Sequence, residues 1–324
     1  FTRDQFSDSL AMGTFSGQSL VSKIILPRAT SQILTAGETS LNFRGKYLQL
    51  GLKYRRVDPD YKSMGAYYFQ TDVEQWLFSP SFSSKNRKWF LSGSIGRERN
   101  NLYHQRPVTT TRLIGSANLN WNASRNFGLN AQYSNFGISQ NPLASNLSDT
   151  TLLEQIAQNF SLVPRVNWQG HGSSHSLSWI LSYNALADFS ESILYQADLK
   201  TWMNSLNYNL SLSQNHWSFQ TNLFYRSLST QNGLIKSQGL GLGIQKMLAD
   251  KKLQIQARGH YYRNHLEDDN AGYTYRLMLE STYRFRSGLR VYLRWQHLRN
   301  ISPGNSFSQD FTEQIGTSGL QFQF

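Results

Sequence analysis

The stretch Thr317-Ser-Gly-Leu-Gln-Phe-Gln-Phe324 alternates apolar and polar residues and stops on an aromatic. A period of two places successive side chains on opposite faces, so this is a β-strand with one greasy face. Leu320, Phe322 and Phe324 share that face. The ends of water-soluble domains fray and tend to be polar. A strand that carries its aromatics to the last residue asks for an apolar surface or an apolar medium to receive them. It would also serve as the closing strand of a soluble sandwich, so the rest of the chain has to decide.

The pattern resembles the C-terminal β-signal of Gram-negative outer-membrane barrels. Thr317 and Gly319 stand in its polar and glycine places, and Phe322 and Phe324 in its two apolar ones. The resemblance implies that the barrel-assembly machinery recognises the chain through this strand.

Composition points the same way. Charged residues make up 16% of the 324 residues, and aromatics 14%, against a charged share of roughly 25% in soluble domains. The mean hydropathy is nevertheless -0.50. Few charges, many aromatics and many Ser, Asn and Gln suit a wall with lipid on one side and water on the other. No apolar run approaches the roughly 18 residues of a membrane helix. If a membrane is crossed, a closed barrel is the structure that pairs every backbone group inside lipid. The chain contains no Cys, which excludes disulfides, thiolate metal sites and a lipidated Cys within it. There is no signal peptide, so residue 1 of an exported protein is a mature N-terminus or a cut inside a longer chain. The net charge is +12. The Arg residues are spread singly along the strands rather than gathered in clusters, so no nucleic-acid partner is expected.

Residues 1–38 show no sustained alternation and form an N-terminal extension, a candidate for packing in or under the lumen. Residues 39–324 form the barrel. Alternation predicts strands near 45–58, 73–84, 88–100, 108–122, 126–138, 156–169, 175–188, 197–214, 216–229, 235–248, 252–265, 273–286, 289–300 and 310–324. The fold class is therefore all-β, an antiparallel transmembrane β-barrel of about 14 strands. The connections alternate short and long. Long ones are expected at 59–72, 101–107, 139–155, 189–196, 230–234, 266–272 and 301–309. Tight periplasmic turns and longer outer loops are the habit of outer-membrane barrels. With an even count, the C-terminus and the start of the first strand both lie on the short-turn side.

A barrel of this width is too large for side chains to fill, so the polar face lines water and the apolar face meets lipid. Aromatics gather at both strand ends, as interfacial anchors do: Trp89, Trp121, Trp168 and Trp217 on the short-turn side, Tyr54, Trp76, Tyr261 and Tyr275 on the other. Pro80 and Pro164 fall inside strands, and each removes a ladder donor. A bulge or a broken ladder is expected at both.

No nucleophile elbow, phosphate loop or dinucleotide fingerprint occurs. His265 near Glu267, Asp268 and Asp269 reads as a solvated acidic loop before it reads as a rim catalytic site. Asp58-Pro-Asp60 lacks the ligand count for calcium, and His171 and His175 read as turn residues. No enzyme activity, cofactor or metal is expected. On the lumen face, Arg258, Arg276, Arg284, Arg290 and Arg294 lie on three consecutive strands and form a basic wall, with Glu280 among them. Such a wall attracts anions, or else stiffens the barrel by pairing with loop acids or with residues 1–38. Gly239, Gly241 and Gly243 form a lumen glycine face, read either as a groove for an inserted segment or as relief of crowding.

The run Tyr54-Arg-Arg-Val-Asp-Pro-Asp-Tyr-Lys-Ser-Met-Gly-Ala-Tyr-Tyr-Phe69 resembles a first-loop segment of outer-membrane barrels from Bacteroidota-type bacteria. These features together imply a porin-like passive channel for small anionic solutes in a Gram-negative outer membrane, long loops outside and the C-terminus periplasmic. The alternative is a non-enzymatic barrel subunit of a larger outer-membrane complex for assembly, secretion or nutrient uptake. Expected partners are outer-membrane lipid, the barrel-assembly machinery and, in the alternative, other outer-membrane proteins.

Overall fold

The computed structural model describes residues 34–61, 70–142, 153–189, 198–231, 233–250, 252–267, 269–285, 288–303 and 310–322. They form one antiparallel meander. Its strands are β1 (Ala36–Arg44), β2 (Leu48–Val57), β3 (Val73–Ser83), β4 (Trp89–Asn100), β5 (Val108–Asn122), β6 (Phe127–Pro142), β7 (Glu154–Gly170), β8 (Ser173–Asp188), β9 (Leu199–Leu212), β10 (Trp217–Thr230), β11 (Gly233–Leu248), β12 (Leu253–Leu266), β13 (Asp269–Arg284), β14 (Leu289–Ile301) and β15 (Phe311–Phe322). Each strand pairs with its sequence neighbours in the order β1 to β15.

All fourteen strands read from the alternation are present, and the structure adds one, giving fifteen. The addition is β1, which pairs with β2 from Ala36↔Val57 to Arg44↔Gln49. Its outward residues are Thr39, Leu41 and Phe43, of which two are greasy, so its alternation is diluted. This strand corrects the expected placement of the first strand. Ala36 lies beside Val57, at the long-loop end, whereas Phe322 lies beside Leu289, at the short-turn end. β1 and β15 therefore run in the same direction. Among the described residues they are not paired with each other, and β1 is exposed along its whole length.

Prolines break the ladder where expected. β3 and β4 pair at Phe78↔Ile95 and resume at Ser81↔Ser92, skipping Pro80. β7 and β8 pair at Leu162↔Leu181 and resume at Arg165↔Ser178, skipping Pro164. On its other side each proline stays in register, Leu50↔Pro80 and Leu129↔Pro164. A proline lacks one N–H, so it disturbs the one ladder to which that group would donate.

Two expected long loops are short. β10 and β11 stay paired up to Thr230↔Gly233, and β12 and β13 up to Leu266↔Asp269. The second hairpin absorbs one extra residue as a bulge between Asn264 and His265. It needs glycine at 272, where φ is +108° and a Cβ would collide with the Ile301 carbonyl oxygen.

The faces are inverted relative to a soluble protein. Among the described residues the buried apolar side chains are Val57 and Val73, both at the foot of the 58–72 connection. Along the strands, outward-facing residues such as Leu41, Ile95, Leu242, Leu293 and Leu320 are more than half exposed. The aromatic belts appear as cross-strand pairs: Phe82 with Trp89 and Trp121 with Phe127 at 4.9 and 5.9 Å on the short-turn side. At the other end stand Tyr54 with Trp76, Tyr183 with Trp202 and Tyr261 with Tyr275, at 4.3, 4.7 and 5.1 Å.

The corner beneath the 58–72 connection is densely hydrogen-bonded. Asp58, Asp72 and Asn101 are almost fully buried there. Thr35 donates its backbone N–H and its hydroxyl to Asp58 Oδ2, at 2.8 and 2.6 Å. Leu102 N–H donates to Asp72 Oδ1, and Arg106 Nε pairs with Asp72 Oδ2 at 3.1 Å. Asn101 Nδ2 donates to the carbonyls of Arg106 and Val108. Asp60, Asp72, Asn101 and His104 take positive φ in this corner.

Candidate functional site

The polar face of β8–β15 is assembled by register. Residues directly opposite each other in an antiparallel pair share a face, so the pairings define rows across the wall. One row runs Ser178, Asn207, Asn222, Gly241, His260, Arg276. The row below runs Ser176, Asn209, Gln220, Gly243, Arg258, Met278. Nearer the short turns come Gln256, Glu280, Arg294 and Thr317, and then Arg284 directly opposite Arg290.

The five arginines singled out in the sequence thus share this face and form a column along the strands. On β13 the step from Arg276 to Arg284 spans about 26 Å, at about 3.3 Å per residue. Arg294 donates to Glu280 Oε2 through Nε and Nη2, both at 2.9 Å. Among the described residues Arg258, Arg276, Arg284 and Arg290 make no ion pair. On the other side of the meander Lys53 pairs with Glu38 at 2.8 Å, and Arg112 pairs with Glu98. Arginines without an acid thus gather on β12–β14, and Arg165 on β7 and Arg226 on β10, on the same face, also make no ion pair among the described residues. Like charges opposite each other, as at Arg284 and Arg290, repel across the strand pair. Water or a mobile anion relieves that repulsion.

The glycine face has a steric cause that is visible. A Cβ at Gly241 would fall on the imidazole of His260, and one at Gly239 on the ring of Tyr262. These two rings stack, centroids 6.0 Å apart and planes 3° from parallel, with Phe224 edge-on to Tyr262 at 5.7 Å. Gly243 sits between Gln220 and Arg258. The same device recurs at Gly319, where the ring of Tyr292 occupies the space a side chain would need. Of residues 1–38, read above as a candidate for the lumen, residues 1–33 lie outside the described residues, as does Phe324. Thr317 and Gly319 face the polar side, and Phe322 and Leu320 are exposed on the apolar side.

The remaining candidates are placed as follows. Asp58 spends its oxygens on Thr35 and Arg56. Burial alone raises its pKa, but the hydrogen bonds from Thr35, Tyr103 and Arg56 outweigh that, and the carboxyl titrates below its usual range. Asp268 is outside the described residues, and among those described no group of three or more His, Asp or Glu is arranged to hold a metal ion. His175 bridges Ser173 and Tyr208 at 3.0 and 2.8 Å and stacks on Trp168.

One feature of the wall escaped a reading that followed charge. Asn207, Asn209, Gln220 and Asn222 form a neutral amide patch beside Arg258 and His260. Asn222 Nδ2 donates to Ser205 Oγ at 2.7 Å and to Asn207 Oδ1 at 2.6 Å, fixing both amides. The Asn-x-Asn and Gln-x-Asn spacings at 207/209 and 220/222 carried that signal, since residues two apart share a face.

No protein-family model and no curated protein matches the chain. Among solved structures, the unliganded ferric citrate transporter FecA aligns over 87% of this chain and 51% of its own length, with TM-score 0.46 and 8% identity. The chain thus spans about half the length of that protein. OmpT, an outer-membrane protein of Vibrio cholerae, aligns over 89% of this chain and 97% of its own, with TM-score 0.40 and 9% identity. The outer-membrane protein OprD of Pseudomonas aeruginosa aligns over 89% and 93%, with TM-score 0.35 and 13% identity.

Proposed function

We propose that this chain forms the membrane wall of an outer-membrane channel that passes small anions passively. The observation that carries the reading is the pairing of two faces. The outer face keeps its large apolar side chains exposed between two aromatic belts. The inner face carries a column of four arginines without ion pairs among the described residues. A hydrocarbon medium removes the cost of the first, and an aqueous lumen with mobile anions removes the cost of the second. In the orientation that follows from outer-membrane habit, the short turns and β15's end are periplasmic, and the 58–72 corner faces outward.

Planar bilayers containing the purified chain test the reading. In a salt gradient the reversal potential should show anion preference, and the triple variant Arg276→Glu, Arg284→Glu, Arg290→Glu should invert it. A folded protein that gives no conductance would remove the channel reading. A second reading, a non-enzymatic subunit of a larger outer-membrane complex, is supported by β1 and β15 ending the sheet among the described residues, since a sheet edge is a template for another strand. Chains that stay bound through mild-detergent purification would favour it.

A further inference from the structure

We propose that the wall formed by β8–β12 holds a binding site for a carboxylated sugar, a solute with several hydroxyls and one negative charge. The proposal rests on the channel reading above, and it names the solute class for that lumen.

The site is a cavity of about 480 Å³ on the polar face, within the range of small-molecule sites. Ser178, Asn207, Asn209, Gln220, Asn222 and Arg258 line it, with His260 at its edge and no carboxylate anywhere in the lining. One guanidinium and no acid select against cations. The amides then decide between kinds of anion. A bare inorganic anion accepts hydrogen bonds and offers none, so amide carbonyl oxygens facing it are repulsive. A hydroxyl both donates and accepts, and so does each Asn and Gln side chain. An array of amides beside a single cation therefore matches a molecule that is mostly hydroxyl with one carboxylate.

These groups are also unspent. Among the described residues, the side chains of Ser178, Asn209, Gln220, Arg258 and His260 make no hydrogen bond, and Arg258 Nε and His260 Nδ1 are buried without a partner. Elsewhere on the same face polar neighbours satisfy one another: Ser94 with Ser116 at 2.7 Å, Ser237 with Asn264 at 2.9 Å and Asn264 with Thr274 at 3.3 Å. A buried polar atom left unpaired costs free energy, and a ligand that reaches Arg258 Nε and His260 Nδ1 together with the open amides around them would remove that cost. The amides that are bonded, Asn207 and Asn222, are held by each other and by Ser205, which fixes the direction of the free lone pairs. Gly241 makes room for the His260 ring and Gly243 lies between Gln220 and Arg258, so neither position adds a side chain of its own to the lining. The His260 ring, parallel to that of Tyr262, offers a flat face at the lining, against which the C–H face of a sugar ring can lie.

The test is equilibrium binding to the full chain folded in detergent, with glucuronate, glucose and hexanoate as probes. Glucuronate should bind at least tenfold more tightly than either of the others. The double variant Asn209→Leu, Gln220→Leu, with folding checked by gel migration, should lose tenfold or more for glucuronate. Arg258→Gln should bring glucuronate down to the level of glucose. Equal binding of glucuronate and hexanoate, or an undiminished affinity in the double variant, would overturn the proposal. Because the measurement needs no conduction, its failure is distinct from that of the channel reading. Glucuronate binding without current removes the channel alone, and anion current without preference for glucuronate removes this site alone.

Discussion

Asp58 shows how a single side chain holds the corner beneath the 58–72 connection. Its carboxylate receives two hydrogen bonds from Thr35 and faces Arg56, while being almost wholly out of solvent. The bonds favour the charged form more than burial disfavours it, so its folded pKa lies below the ordinary value of 3.8. A carboxyl lowered in this way contributes stability that is complete above the unfolded value and is lost as pH falls through the folded one. Amide exchange in the corner, corrected for its intrinsic pH dependence, should stay slow down to about pH 4 and quicken below it. Asp58→Asn should weaken the corner at neutral pH by roughly 1–3 kcal/mol, the cost of unsatisfied buried partners. Protection that stays flat from neutral to strongly acidic pH would contradict this account. Gly319 illustrates the opposite economy: the ring of Tyr292 fills its place, so glycine is required by a neighbour and not by its own backbone.

At the scale of the element, the two proline-bearing strands are the weak seams. β3 and β7 each keep one ladder intact and lose two pairs from the other. The strand opposite then has backbone groups near Gly93 and Ile180 with no ladder partner across the gap. One missing hydrogen bond is worth about 1 kcal/mol. Amides at 93–94 and 179–180 should therefore exchange about fivefold faster or more than those two residues above and below. Uniform protection along β4 and β8 would show that the gaps close in the membrane. The hairpins β10–β11 and β12–β13 are the opposite case, paired to their last residues, and they bracket the glycine face and Arg258 on a continuous stretch of sheet.

For the whole molecule, the decisive property is the reversal of inside and outside. Trp76, Trp179 and Trp202 are about half exposed on the outer face, a cost in water that lipid removes. In vesicles with brominated acyl chains their fluorescence should be strongly quenched, whereas a soluble quencher should leave most of it. Unboiled protein should also migrate differently from boiled protein in SDS gels. A chain that stays soluble and folded without detergent would end the membrane reading. Fifteen strands leave β1 and β15 running the same way. An antiparallel wall that closes on this meander therefore takes an odd number of further strands.

What the sequence determined by itself was periodic. Side chains alternate with a period of two regardless of context, so fourteen strands, their greasy and polar faces, the aromatic belts and the proline gaps at Pro80 and Pro164 could all be read from residue order. The common face of Arg258, Arg276, Arg284, Arg290 and Arg294 followed from the same parity. β1 escaped because two greasy residues, Leu41 and Phe43, are too few to show a period, and only pairing with β2 reveals it. The loops at 230–234 and 266–272 looked long because polar residues carry no signal of whether they stay paired. Tertiary structure alone decided register, and register is what matters for chemistry. It put Glu280 on Arg294 and left Arg258, Arg276, Arg284 and Arg290 without an acid among the described residues, laid His260 over Gly241, and brought Asn207, Gln220 and Arg258 to one cavity. Parity assigns a residue to a face, but which residues on that face touch depends on how far each strand slides along its neighbour, and residue order does not encode that distance locally.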